Sequence, residues 1–181
     1  MSLRSTPAGY GRVAVTLHWI SAALIVPLVP IGLTMVGMES GPTKAALYQT
    51  HVWIGLSVGL LTLVRAVWRF REPTPTVPAG ISGAHVWLHK GVHMLFYVVL
   101  LSLAASGMGI IALSGLTPFS VSPEAINRGA PPILGHWWLT RIYTALFAAH
   151  LLGVLRYQFA DGDVIARMGL GWLRIGRRSK A

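Results

Sequence analysis

Four long apolar stretches constrain this chain more than any other feature. Each is longer than the roughly 20 helical residues that cross a bilayer. Stretches of this length and apolarity are typical of transmembrane helices. The stretches are Val13–Val36, Ala45–Trp68, Gly91–Ser114 and Ile133–Phe159. The sequence therefore predicts an all-α membrane protein: one domain over residues 1–181, a four-transmembrane-helix bundle with a basic tail at residues 160–181.

The composition agrees with a membrane protein. Charged residues make up 11% of the chain, against about 25% in soluble proteins. Cysteine is absent, which excludes disulfides, iron–sulfur clusters and thiolate zinc sites. The net charge of +10 would also suit a nucleic-acid-binding protein, but the basic residues stand beside the apolar runs. Such flanks favour anionic lipid headgroups, so the bilayer is a predicted partner and nucleic acid is not.

Helix-breaking residues separate the stretches. Glu39–Pro42 lies between the first two, and three prolines in residues 72–78 remove backbone donors before the third. The segment Thr117–Pro132 carries four prolines, which predicts an ordered loop or a short surface helix. In the tail, Asp163–Arg178 mixes apolar side chains with arginines and predicts either a short helix on the membrane surface or a basic stop-transfer segment.

The distribution of lysine and arginine predicts the orientation. Twelve of these residues fall on one side of the predicted bundle and three on or near the other. The twelve are Arg4, Arg12, Arg65, Arg69, Arg71, Lys90, Arg156, Arg167, Arg174, Arg177, Arg178 and Lys180, and the three are Lys44, Arg128 and Arg141. Because the basic side of a membrane protein faces the cytoplasm, both termini are predicted to be cytoplasmic.

Four histidines lie within the spans, where ligand-capable side chains are costly unless something uses them. A hydrogen bond between helices would explain any one of them, but four at matched depths favour a shared role. Successive helices run in opposite directions, so His18 and His150 share the inner level. By the same reasoning His51 and His136 share the outer level. A haem iron with two axial imidazoles needs two histidines that face each other at one level.

The spacing on the fourth helix supports this interpretation. His136 and His150 are 14 residues apart, which is about 3.9 turns and about 21 Å of rise. They therefore lie on one helix face, and the sequence predicts two haems, one at each level. Gly55 and Gly59 follow His51 on one stripe, where they would provide clearance for a porphyrin or a close helix-packing face.

Further motifs accompany the histidines along nearly the whole chain. They are Leu17-His18-Trp19, Thr50-His51-Val52 with Gly55, Val64–Arg69, Pro73-Thr74-Pro75, His93–Tyr97, His136 and His150. With these motifs the chain resembles the bacterial cytochrome b561 family of four-helix di-haem proteins. The resemblance implies haem b, the inner membrane of a proteobacterium, and electron exchange with quinone. The histidine pairing inferred from depth agrees with the pairing that the family implies.

The family's histidine at the start of the third helix matches His93. It is expected to have no partner at its depth once His18 pairs with His150. A quinone hydrogen bond, a haem propionate contact and a third metal site remain open for it, with the first two favoured. His85 and His89 are interpreted as solvated histidines at the membrane interface.

The family resemblance leads to two hypotheses for function. Related proteins are cytochrome b subunits of respiratory hydrogenases and formate dehydrogenases, and some members resemble superoxide oxidases, which reduce ubiquinone. Under the first hypothesis the chain is such an oxidoreductase, and Lys44, Arg128 and Arg141 steer the superoxide anion to the outer face. An Arg141 bound to a haem propionate, with the other two solvated, would explain these charges equally well. Arg12, Arg65 or Arg69 could similarly bind the inner propionates.

Under the second hypothesis the chain is an electron-relay or anchoring subunit for a periplasmic redox partner. A relay needs a docking surface, and the outer loop offers few apolar side chains for one: Phe119, Val121 and Ile126. A histidine-lined metal transporter fits less well, because transport sites cluster their ligands at one midplane level whereas these histidines fall at two.

Overall fold

The four apolar stretches form four long helices in the computed structural model, which describes residues 2–7, 9–73, 83–160 and 165–170. The helices are α1 Arg12–Gly37, α2 Pro42–Arg71, α3 Gly83–Leu113 and α4 Pro132–Ala160. All four contain a window long and apolar enough to cross a membrane. The described residues include one isolated bridge, between Thr6 and Gly9, and no strand beyond it. The predicted fold class, an all-α membrane protein with four spans, is confirmed.

The helix ends follow the breakers in the sequence with one difference. Met38 leaves α1 in an extended conformation, and Pro42 starts α2 at the position where a missing N–H is tolerated. α3 begins at Gly83, eight residues before the predicted start at Gly91. The backbones of His85 and His89 are therefore helical, while their side chains lie outside the described part, as do residues 74–82. Residues 117–131 form turns rather than a surface helix.

Helices that follow one another in the chain pack together: α1 on α2, α2 on α3, and α3 on α4. Within the described helices α1 and α4 approach each other less closely than these pairs. Contacts across the pairs show that neighbours run antiparallel. His51 near the start of α2 lies against Gly32 near the end of α1, and Arg65 near the end of α2 reaches His18 near the start of α1.

The bundle thus has two ends, which we name from their chain segments. The terminal face holds the start of α1, the end of α2, the start of α3 and the end of α4. The loop face holds residues 38–41 and 114–131. Between them lies a buried cluster contributed by all four helices: Ile25, Val58, Val99, Leu100 and Tyr143.

The N-terminal segment is tied to the end of α2 at the terminal face. Glu72 accepts hydrogen bonds from the Ser5 backbone N–H at 2.5 Å and from the Arg4 side chain at 2.9 Å. Desolvation raises the pKa of Glu72, but these hydrogen bonds outweigh it and hold that pKa below its usual range. Because the folded-state pKa is depressed, this link stabilises the fold at neutral pH and is lost as the pH falls through the lowered pKa.

Part of the basic tail is also described. A short turn, Ala166–Leu170, packs beside α1, and Gly169 within it has a φ of 80°. The Trp19 indole N–H donates to the Met168 carbonyl oxygen at 2.9 Å, so this turn is held against α1 near the terminal face. The rest of the predicted surface helix, residues 163–164 and 171–178, lies outside the described residues.

Candidate functional site

His51 and His136 face each other near the loop face. Their ring centroids are 6.3 Å apart, and the ring planes are 73° from parallel. Two imidazoles that bind one metal from opposite sides, each at about 2.0 Å, have centroids roughly 6 Å apart. The separation of His51 and His136 therefore suits two axial ligands of one iron.

Ser106 on α3 orients the His136 ring. Its hydroxyl donates to the Leu103 carbonyl oxygen at 3.0 Å and lies 2.9 Å from Nδ1 of His136. A hydroxyl has one proton, so with that proton on Leu103 it can only accept from the imidazole. His136 then carries its proton on Nδ1 and leaves the Nε2 lone pair free. A metal-ligating histidine typically has this arrangement, with the other ring N–H donated to a protein acceptor.

Replacing Ser106 with alanine is expected to weaken haem binding at the His51–His136 level by roughly tenfold, the lower end of effects seen for such supporting groups. The Leu103 carbonyl also lies in hydrogen-bonding range of the ring, so binding should be weakened rather than abolished. A haem titration followed by absorbance measures this affinity. Ser106→Thr keeps the hydroxyl and is the matched control; equal affinities for all three proteins would contradict the role.

His51 is positioned by a glycine that the sequence interpretation did not single out. A Cβ added at Gly32 would lie 2.8 Å from Cε1 of the His51 ring, so any larger residue would displace the imidazole. Nδ1 of His51 is buried, and the Leu28 backbone lies in hydrogen-bonding range of the ring. A backbone acceptor for the Nδ1 proton would leave the Nε2 lone pair free for a metal, as in other metal-ligating histidines. No motif in the sequence points to Gly32.

Gly55 and Gly59, which follow His51, differ in their surroundings, and each fits one of the two roles expected for them: clearance for a porphyrin or close helix packing. A Cβ on Gly59 would meet the Ala104 Cβ at 2.7 Å, so Gly59 permits close packing of α2 on α3. A Cβ on Gly55 would meet nothing within 4 Å, so Gly55 faces open space. On α3, Gly107 lies beside His136, with 3.5 Å between its added Cβ and Cε1 of the ring.

Two histidine rings pack together toward the terminal face, and a third histidine is near them. The rings of His93 and His150 lie 6.0 Å apart and nearly perpendicular, and His18 is within electrostatic range of both. The expectation that His93 has no partner at its depth is therefore wrong. His93 is ten residues from the start of α3 and His150 ten from the end of α4. Because α3 and α4 are antiparallel, these equal offsets place the two rings side by side.

Arg65 joins this group from α2. Its Nη2 lies 3.2 Å from Nδ1 of His18, and it interacts electrostatically with Tyr97, Tyr143 and His150. The sequence suggested three arginines for the inner level, and the structure places the Arg65 side chain beside a predicted ligand. Tyr143 lies midway along α4 between His136 and His150 and is 3% exposed, so the buried cluster separates the two histidine levels.

The sequence of the chain is similar to those of known proteins. The model of the family described as prokaryotic cytochrome b561 matches residues 9–171. The chain belongs to the prokaryotic cytochrome b561 family. It is 26% identical to cytochrome b561 homolog 2 of Escherichia coli, over 94% of this chain and 96% of that protein. It is 31% identical to cytochrome b562 of Cereibacter sphaeroides, over 80% of this chain and 89% of that protein.

The family is one of multi-pass membrane electron-transfer proteins, and it implies haem b. The structure fits this group at the loop-face level, where the ring separation of His51 and His136 and the Ser106 hydroxyl beside Nδ1 of His136 agree with two axial ligands. Among the described residues no three His, Cys, Asp or Glu side chains cluster as a metal cage. Ligands in pairs are what a haem needs, because the porphyrin supplies the other four nitrogens.

The three cations predicted to steer an anion differ in accessibility. Lys44 is 5% exposed, and its Nζ donates to the Met38 carbonyl oxygen at 2.8 Å. The Ser122 hydroxyl holds the pKa of nearby Glu124 below its usual range, and the charge of Lys44 adds to that shift. Lys44 is therefore a covered charge close to a carboxylate, which differs from the exposed position that steering requires.

Arg128 and Arg141 are exposed and lie beside one groove. Arg141 stacks on Trp137, with its guanidinium carbon 3.2 Å from the ring centroid, and donates to the Trp137 carbonyl oxygen at 3.1 Å. The groove at the loop-face end of α4 measures about 640 Å³. Its walls come from the end of the loop and the first turns of α4: Arg128, Gly129, Ala130, Pro131, Ile133, Leu134, Trp137 and Trp138.

Proposed function

We propose that this chain binds two haems b and transfers electrons from superoxide to ubiquinone across the inner membrane. One haem lies between His51 and His136 and the other between His18 and His150. The observation that supports this most directly is the facing pair His51 and His136, whose ring centroids are 6.3 Å apart. The helix of His136, α4, carries a second histidine, His150, about 21 Å further along. Bound haem supplies one-electron redox chemistry.

The basic terminal face supports the orientation in this proposal. Eight of the eleven described lysines and arginines belong to that face, so both termini lie in the cytoplasm and the loop face lies in the periplasm. Superoxide then arrives at the level of His51 and His136. Quinone is reduced near His93, at the level of His18 and His150.

The reaction balances over two turnovers at the loop face. Each superoxide loses one electron and becomes dioxygen, and two such electrons with two protons convert ubiquinone to ubiquinol. The chain's own residues hold the cofactors at two depths and keep water from the buried cluster between them. His93 is suited to hydrogen-bond a quinone oxygen because an imidazole can both donate and accept.

Electrostatic steering of superoxide provides the test of the donor. Replacing Arg128 with glutamine is expected to lower the second-order rate of haem reduction by about two- to fivefold at low salt, since steering by local charge accelerates encounter. Lys44→Gln should have a smaller effect, because Lys44 is covered and close to Glu124. The rate should also fall as salt rises, because the Debye length shrinks from about 10 Å at 0.1 M to about 3 Å at 1 M.

Rapid mixing with generated superoxide measures these rates. A variant with both Arg128→Gln and Lys44→Gln should show a weaker dependence of the rate on salt. Haem content serves as the control and should be unchanged. A rate indifferent to salt and to Arg128 would favour the second candidate, a relay that receives electrons from a docked periplasmic protein. The groove beside Arg128 favours that candidate. Of the apolar loop side chains considered for a docking surface, Phe119 is 81% exposed, whereas Val121 is only 8% exposed and therefore buried.

A further inference from the structure

Arg141 is a cation on the outward side of a transmembrane helix. It lies nine residues after the start of α4, a helix that contains neither aspartate nor glutamate. Arg141 follows His136 by five residues, which turns it about 140° around the helix axis from that histidine. It is exposed, as are Leu134, Trp137 and Trp138 at helical spacing before it. These four side chains form one outward stripe, of which Arg141 is the charged member.

The charge of Arg141 is held near the level of lipid headgroups. α4 has 29 residues, about 43 Å of helix, against a hydrocarbon core of about 30 Å. Shared between the two ends, the excess is roughly 7 Å at each. The guanidinium reaches back to the carbonyl oxygen of Trp137, about 7.5 Å along α4 from Pro132. It therefore lies at the boundary between acyl chains and headgroups.

Stacking on Trp137 fixes the plane of the guanidinium. Its carbon is 3.2 Å from the ring centroid, and Nη1 donates to the Trp137 carbonyl oxygen. A guanidinium carries five N–H donors in one plane, so the indole covers a face of the group rather than its donating edge. Phosphate oxygens match the geometry of such an edge. The stacked Arg141 side chain is thus suited to a phosphate group.

The groove beside this stripe suits the rest of a lipid molecule. Its lining is mostly apolar, includes Leu134 and two indoles, and has Arg128 as its charged residue. Glu124, on the same loop as Arg128, accepts from Ser122 and lies near Lys44. Two arginines beside an apolar groove attract a lipid of net negative charge. A zwitterionic lipid fits them less well, because it brings a cation of its own.

We propose that the loop-face end of α4 binds an anionic phospholipid of the surrounding bilayer. The phosphate lies on Arg141, the glycerol backbone and upper acyl chain lie in the groove, and Arg128 adds positive charge at the loop end of the site. The occupant is a lipid rather than a soluble protein because the stripe runs within the membrane span, where lipid is the neighbour. The inference depends neither on the electron donor nor on the number of haems.

Quenching of a fluorophore by spin-labelled lipids tests the site. The chain has no cysteine, so Ala145→Cys provides a single attachment point, exposed and one turn beyond Arg141 toward the bilayer centre. The full chain is placed in phosphatidylcholine vesicles with a small fraction of phosphatidylglycerol or phosphatidylcholine that carries a nitroxide on its acyl chain. We expect labelled phosphatidylglycerol to be enriched roughly fivefold over labelled phosphatidylcholine, the preference expected from one basic residue near anionic lipid.

Charge variants show which residue produces the preference. Arg141→Gln should reduce it to near equality, whereas Arg141→Lys keeps the charge and should retain part of it. Arg156→Gln is the matched control, because it removes an exposed arginine from the other end of the same helix and should leave the preference unchanged. High salt should weaken the preference in the parent protein, which tests the charge without any substitution in the site.

Four results would overturn the inference. The first is equal quenching by the two lipids in the parent protein, and the second is a preference that Arg141→Gln leaves unchanged. The third is an equal loss in Arg156→Gln, which would trace the preference to total charge. The fourth is no quenching by either lipid, which would show that a second copy or another protein covers the stripe. Haem content and superoxide kinetics decide the proposed function separately, since neither enters this measurement.

Discussion

Replacing His136 with alanine is expected to leave the purified protein with one haem per chain instead of two. The remaining haem should keep the spectrum of the His18–His150 level, because the buried cluster around Tyr143 lies between the levels and does not depend on His136. His51→Ala should have the same effect, since one imidazole alone cannot provide both axial ligands. Haem extraction and quantification against protein would show a loss of about half the haem, as expected for bis-histidine sites.

Reciprocal variants test the assignment of each pair. His18→Ala or His150→Ala should remove the other haem and leave the His51–His136 haem in place. His85→Ala serves as a control that removes a histidine predicted to lie at the interface, and it should retain both haems. A wild-type protein with one haem or none after haem-replete expression would contradict the two-haem proposal.

Replacing His93 with phenylalanine is expected to slow electron transfer to quinone by roughly tenfold while both haem bands persist. Phenylalanine keeps a planar ring beside His150 but loses the hydrogen bond, which contributes about 1 to 1.5 kcal/mol, close to a tenfold change in rate or binding. Quinone reduction in proteoliposomes, started from fully reduced protein, measures the rate. His93→Gln retains a donor and an acceptor and should restore part of it.

The His93 variant also tests which histidines pair at the terminal-face level. The His93 ring lies 6.0 Å from that of His150, a separation that would also suit two ligands of one iron. If His93→Phe removes a haem while His18→Ala does not, the terminal-face haem lies between His93 and His150. The pairing of His18 with His150 would then be wrong, and His18 would keep its contact with Arg65.

The position of each residue along the membrane normal could be read from the sequence. Helical rise is constant, so residue number and helix direction place His18 and His150 at one depth and His51 and His136 at the other. The four spans followed in the same way from their length and lack of charge. This reasoning needs no knowledge of neighbours, and it predicted the facing of His51 and His136 that the structure shows.

The rotation of each helix about its axis could not be read in that way, because it depends on packing against the neighbouring helices. The hydroxyl of Ser106 meets Nδ1 of His136, and Gly32 makes room for the His51 ring. Neither contact involves residues close in sequence. For His93, the sequence predicted neither the earlier start of its helix at Gly83 nor the ring of α4 beside it.

The sequence by itself determined that this protein is a four-helix membrane bundle with histidines at two depths, because length, hydropathy and helical rise are local properties of the chain. Only the tertiary structure decided which side chains surround each histidine and which charges reach the surface. Lys44 was expected at the outer face with Arg128, yet the carbonyl of Met38 and the neighbouring loop cover it. Exposure depends on contacts between segments distant in sequence, and those exist only once the helices have packed.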